Sequence, residues 1–402
     1  MRNGWLFITG ISILFSCSKI ETEEELPVVA DLQIQTMATQ LPIVHIEADS
    51  MELIKMLVNY NARIVIPAHI TIYGPTKTLL VEEDAHIEIK GVGSAAQDMK
   101  PIGIVLHQPF NNFELGILSP KVIAPGDDLG TIQNFRMRNS SQDYGITMMK
   151  DLAYTELALR AGFDLETKYG RPAHVFINSE YYGLHNLRTD VDAMGLSHLL
   201  HVDSSDITLL KMDNINHKLE FKEGDEVFAE TFLQAIRDED VETIHRYLDI
   251  DNFIDYIVYE DYIGNTDWPH NNSRAYSVNG SKFRFILFDL DMAAERTNNP
   301  LLPEMEFRDD YISRTYQTLL AFDPEFEARL HERQKHWYSQ LSPELFNCIV
   351  DELTEDIEME ILYFISKRGV PENSFQWKLN LEQLKRKLER TDHTNRKKYG
   401  LN

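Results

Sequence analysis

The dipeptide Asn279-Gly280, flanked by the runs Ser273–Val278 and Ser281–Phe288, constrains this chain more than any other local feature. A two-residue hairpin turn that matches the strand twist needs positive φ at both central positions, and Asn and Gly reach it at least cost. The spacing predicts two antiparallel strands in which Val278 opposes Ser281. Asn272 then lies opposite Leu287, and His270 lies near Asp289. Opposed residues share a face, as do residues two apart on one strand. Asn272, Asp289 and Asp291 are therefore expected at one open end of the hairpin. Two carboxylates and an amide oxygen there are hard ligands suited to Mg²⁺ or Mn²⁺. The same residues also fit a purely local role, with Asp289 and Asp291 capping a turn and Asn271-Asn272 filling another. A one-residue register slip would send Asn272 to the opposite face.

The residues just before the hairpin add to this. Asp251 can cap a helix whose apolar face is Phe253, Ile254, Ile257, Val258 and Tyr262, and Gly264 is placed to end it. The polar, turn-rich stretch Asn265-Thr266-Asp267-Trp268-Pro269-His270-Asn271-Asn272 follows at once. Upstream, residues 42–135 carry short apolar runs (Arg63–Ile66, His69–Tyr73, His86–Lys90, Ile102–Leu106) broken by Gly and Pro, a strand pattern. From Thr147 the apolar period becomes helical until Gly162, and Val175–Leu187 reads as a hairpin turning at Asn178-Ser179. Beyond about 315 one helix follows another, with breaks at Pro343 and near Gly369-Pro371. The order predicts an α+β protein of two parts, a β-rich one over 42–190 and a mainly helical one over 191–402.

Charge and cysteine content narrow the function. The 402 residues include 39 Lys+Arg against 64 Asp+Glu, a net charge of −25, which argues against a nucleic-acid partner. Met1 and Arg2, an apolar run from Trp5 to Phe15, then Ser16 and Cys17, read as a secretory signal too short to span a bilayer. Leu14-Phe15-Ser16-Cys17 resembles the bacterial lipobox, so Cys17 is expected to carry lipid. Residues 18–41 would then be an acidic tether. The expected location is the cell envelope, at the outer membrane or cell surface, with the lipid anchor as the membrane contact. Cys348, in an apolar helical stretch, is expected to be buried.

An Asp in a loop, an Asn five residues on, a hairpin and then a metal-binding Asp is also the order of parts in protein kinases. Asn265-Thr266-Asp267-Trp268-Pro269 with Asn271-Asn272, followed by Phe283-Arg284-Phe285-Ile286-Leu287-Phe288-Asp289-Leu290-Asp291, resembles the core of the CotH spore-coat-protein kinase family. Ile87–Ser94 with Met99-Lys100-Pro101, Arg136–Ser140 with Thr147–Asp151, and Arg171–Ala173 with Phe176–Arg188 resemble other segments of that family, in its order. The resemblance covers roughly residues 80 to 400. It implies an atypical protein-kinase-like, two-lobed fold and transfer of the ATP γ-phosphate to protein hydroxyls with Mg²⁺ or Mn²⁺. It also implies roles: Asp267 catalytic, Lys100 paired with phosphate, and Asn272, Asp289 and Asp291 on the metal. Departures stand at Val92 and Ser94, at Thr189 where the family usually has Glu, and at Ala293 in place of a Gly-rich stretch. They leave open a catalytically degenerate envelope protein that binds without transfer, and residues 20–80 leave open a surface-binding module.

Overall fold

A computed structural model of the chain describes residues 29–111, 130–213 and 215–401. Cys17, the signal segment and the first part of the expected tether lie outside the described residues. Of the rest of that tether, Val29–Thr36 is a helix with Ile34 buried, and Leu41 is buried.

The first part is strands, as its apolar alternation predicts. They are β1 (Ile43–Glu47), β2 (Val65–Tyr73), β3 (Leu79–Ile89), β4 (Ile102–Asn111) and β5 (Thr131–Arg138). The helix Lys150–Ala161 follows, closed by Gly162 at φ 86°. Then come β6 (Glu166–Thr167), β7 (Gly170–Ile177) and β8 (Glu180–Thr189), the last two joined by a turn at Asn178. Seven of these close a barrel in the order β1-β2-β3-β4-β5-β8-β7. Every neighbouring pair is antiparallel except the closing one, where β1 runs parallel to β7 with Ile43 opposite His174 and Ile46 opposite Ile177. The barrel interior is a β-branched core that includes Val44, Ile70, Ile87, Ile104 and Val175, residues that fit a pleated, half-buried surface. A short helix, Ser50–Val58, capped by Asp49, lays Leu53 and Met56 on this core. The strand reading of 42–135 does not anticipate it.

The second part is built around one helix. Ile250–Ile263 is buried at every position from Asn252 onward, so it is a central helix wrapped by others. Its N-cap is Asp249, whose carboxylate accepts from Asn252 N–H, rather than the expected Asp251, which pairs with Arg329. Gly264, at φ 59°, ends it as expected. A five-stranded sheet lies beside it. Its other strands are β9 (Ile207–Met212), β10 (Leu219–Glu223), β11 (Arg274–Val278) and β12 (Arg284–Leu287), and the order is β10-β9-β11-β12-β6. Long helices, Pro343–Arg368 and Ser374–Tyr399, complete the helical core. Cys348 is exposed rather than buried. It sits between Phe346 and Ile349, which take the inward positions of that helical turn.

The hairpin turns at Asn279 (φ 51°) and Gly280 (φ 69°), and Ser281 N–H donates to Val278 O at 2.9 Å. Its register differs from the predicted one by one residue: Arg274 opposes Ile286 and Tyr276 opposes Arg284. The cause is local. The Ser277 hydroxyl donates to Ser281 O at 2.6 Å, and Val278 N–H donates to Ser281 Oγ at 3.2 Å. Ser281 is thereby held in the turn and the ladder starts one residue later. In that register Asn272 falls on the strand face opposite to the one predicted.

Candidate functional site

A cleft of about 670 Å³ lies where the barrel meets the second sheet, and Asp267, Asn272, Asp289 and Asp291 all line it. The four acidic and amide side chains thus meet, though not by sharing a strand face. Asn272 (φ 53°) and Asp289 (φ 65°) both stand at strand ends in the left-handed region, which Asn and Asp tolerate better than most residues. Each strand is redirected there, and Asp291 follows on a single 3₁₀ turn, Leu290–Met292.

The loop carrying Asp267 is fixed from below. Trp268 is fully buried, and its Nε1–H donates to Tyr256 Oη, at 3.0 Å, on the central helix. Asn265 Nδ2 donates to the buried Glu260 at 2.9 Å. Arg308 donates to His270 Nδ1 at 2.7 Å, so that ring nitrogen is the acceptor. Asp267 itself stays half-exposed. One of its oxygens accepts from both Asn271 Nδ2 and Asn272 Nδ2, each at 2.8 Å. The amide group of Asn272 therefore positions Asp267, and Asn271 Oδ1 is left buried with no partner among the described residues.

Asp289 and Asp291 have a cation, and it belongs to the chain. Arg138 on β5 donates to Asp289 and, at 3.0 Å, to Asp291, and its Nε lies 3.8 Å from Asp151. Burial pushes the Asp291 carboxyl up to about 6, with Arg138 pulling down and Asp289 adding to the rise. Burial acts to raise Asp151 as well, but Arg188 and Arg138 overcome it and hold that carboxyl at about 2. Among the described residues no three His, Cys, Asp or Glu side chains are grouped to hold a metal ion. As arranged, the donor set does not fit a divalent metal, because a guanidinium takes the oxygens that would ligate it.

The same cleft fits an anion well. Eight cationic side chains line it, Arg63, Lys90, Arg136, Arg138, Lys168, Arg188, Lys211 and Arg274, against four carboxylates, Asp192, Asp267, Asp289 and Asp291. Arg136 and Arg188 stand directly opposite each other on β5 and β8, a like-charge pairing that costs stability unless something answers it. Buried Arg188 Nε and Nη1 and Arg274 Nε have no hydrogen-bond partner among the described residues. Orphaned guanidinium N–H groups in a cavity match the oxygens of phosphate groups. Apart from the family segments that contain them, the Arg136-x-Arg138 alternation was the one sequence signal for this set.

Lys100 is held away from the cleft. Its ammonium donates to Ala95 O (2.9 Å) and Gln97 O (2.8 Å) and lies 4.5 Å above the Tyr60 ring. The wall there comes instead from Gly91, Val92, Gly93 and Ser94, with Lys90 beside them. The departures also have local readings. Thr189 Oγ1 accepts from Tyr169 N–H at 3.0 Å, closing the start of β7 onto β8. Ala293 has φ −64°, so no glycine is needed there, and the left-handed residue is Ala294.

A family model described as CotH kinase protein matches residues 120–392, more than half of the chain. The match begins after β4, so the Gly-rich segment and Lys100 precede it. No curated protein matches the chain.

Proposed function

Since the chain belongs to the CotH kinase family, we propose that it transfers the γ-phosphate of ATP to a protein hydroxyl, in a barrel-over-helices body read as a kinase-like pair of lobes. The observation that carries this reading is the junction of an anion-fitting cleft with a fixed Asp. Asp267 is oriented by two amide groups and remains half-exposed at the cleft wall. In the step proposed, the hydroxyl oxygen bonds to the γ-phosphorus and the bond from that phosphorus to the β,γ-bridging oxygen breaks. ADP leaves with that electron pair, and the hydroxyl proton passes to Asp267. Lys168, Arg188 and Arg274 neutralise charge on the phosphates, which is most of what a protein offers this reaction. Mg²⁺ or Mn²⁺ would reach Asp289 and Asp291 only by displacing Arg138. Cys17 would anchor the protein at the cell envelope, and mass spectrometry of the membrane fraction should show a diacylated N-terminal Cys.

Radiolabelled ATP with a mixed protein substrate tests the transfer. Label should become acid-stable on protein, and Asp267→Asn should lower the rate by at least about a hundredfold, the usual scale for a lost general base. A second reading is favoured by the Arg138 plug between Asp289 and Asp291: an envelope protein that binds the nucleotide and does not turn it over. Absence of labelled protein with either Mg²⁺ or Mn²⁺, while ATP still binds, would select it.

A further inference from the structure

Three cationic side chains in the cleft are almost fully buried: Lys168 at 3 % exposure, Arg188 at 1 % and Arg274 at 8 %. They come from three separate places, the residue after β6, the end of β8 and the start of β11. Among the described residues only Arg188 has a carboxylate within ion-pair distance, and it shares that one. Lys168 has no carboxylate within ion-pair distance among the described residues, and its ammonium lies 5.0 Å from the centre of the Phe288 ring. Arg274 stands over the same ring at 5.1 Å, donates once to Val191 O at 2.9 Å, and leaves Nε unused. Arg188 donates to Thr155 Oγ1 at 2.9 Å and lies 3.3 Å from Asp151, an acid it shares with Arg138, and leaves Nε and Nη1 unused. Of the other acids nearby, Asp190, which also acts on Lys168 and Arg274, accepts from Arg136 at 2.7 Å, and Glu156, which acts on Arg188, pairs with Arg160 at 2.9 Å. Even when Asp151, Asp190 and Glu88, the ion-pair partner of Lys90, are added to the four lining carboxylates, the eight lining cations exceed the acids by one.

Buried charge without a counter-ion is unfavourable, and a fold retains it where a ligand supplies the missing charge. Burial and then Arg136 both push the Lys168 ammonium well down, with Asp190 opposing, so its surroundings in the chain disfavour its charge. We propose that Lys168, Arg188 and Arg274 form a subsite that grips the phosphate groups of a polyphosphate chain directly, with no divalent cation between protein and ligand. The proposal rests on the reading of this cleft as the nucleotide site and names which part of it holds phosphate. Two guanidinium forks and one ammonium present more donors than a carboxylate can accept, whereas adjacent phosphates offer several oxygens each. The position a bridging metal would need, between Asp289 and Asp291, is filled by Arg138.

Inorganic triphosphate, titrated calorimetrically into the full chain in EDTA and again in Mn²⁺, tests this. Saturable one-to-one binding is expected in EDTA, with affinity within about threefold of that in Mn²⁺, and ATP should behave alike. Lys168→Met and Arg274→Met should each weaken binding by about tenfold or more, while Arg63→Met should cost less than about threefold. Lys168→Met should melt no lower than the wild type without ligand, because it removes an uncompensated buried charge, and this separates lost binding from lost folding. Binding seen only with Mn²⁺, or unchanged in Lys168→Met, overturns the subsite. Triphosphate binding in EDTA without any protein labelling from ATP would instead retain the subsite and sink the transferase reading alone.

Discussion

Glu260 lies fully inside the protein, one residue from Asp261 and five from Asn265, which donates to it. Burial pushes its carboxyl up to about 8, with Asn265 opposing and Asp267 adding to the rise. The ordinary value is 4.5, so between about pH 4.5 and 8 the folded chain holds a proton that the unfolded chain releases. Stability from this group is complete below pH 4.5 and declines as pH rises towards 8. Glu260→Gln keeps an acceptor for Asn265 and has no charge to bury. Thermal melts should show little difference from wild type at pH 5 and a higher midpoint for the variant at pH 8; a variant that melts lower at pH 8 would contradict it. Glu260 anchors Asn265, and Asn265 Oδ1 in turn accepts from Asp267 N–H at 3.2 Å, so this hydrogen-bond chain links the buried carboxyl to the loop that carries the proposed base.

At the level of elements, the central helix, its glycine stop and the loop beyond form one device. Gly264 is left-handed, and a Cβ there would sit 2.8 Å from Arg296 O. Gly264→Ala should therefore cost at least about 1 kcal/mol in chemical denaturation. It should also shift the Asn265–Asn272 loop, visible as changed Trp268 fluorescence. An unchanged midpoint would show that the backbone can relax there. This stop was legible in the sequence, as were the hairpin turn at Asn279-Gly280 and the Gly162 terminus, because each depends on one or two residues and their own φ angles. The hairpin register was not, because it depends on where the Ser277 and Ser281 hydroxyls turn, and strand patterns do not encode that. The helix Ser50–Val58 was hidden for a related reason: it is short, and it owes its place to the barrel surface under Leu53 and Met56.

For the whole molecule, totals mislead about the site. A chain of net charge −25 carries a cleft in which cations are in excess, because Lys168, Arg188 and Arg274 are separated in sequence and assembled only by the meeting of two sheets. No local window shows them together, whereas Asp267, Asn272, Asp289 and Asp291 lie within one stretch and could be read there. The barrel is non-local in the same sense, since β1 to β4 precede the residues matched by the family model and still supply four of its seven strands. A chain beginning near Leu80 would lose β1 and β2, baring the edges of β3 and β7. Size-exclusion chromatography should show it aggregated, and a monomer with a wild-type melt would refute this. The closing pair has one more consequence. β1 ends at Glu47 and its parallel partner β7 begins at Gly170, so at about 5–20 residues per second a ribosome releases the second roughly 6 to 25 seconds after the first. For that interval the newborn chain holds an apolar strand with nothing to close against. Its first risk is then a race between aggregation and elongation, set by the clock of synthesis rather than by the strength of any finished contact.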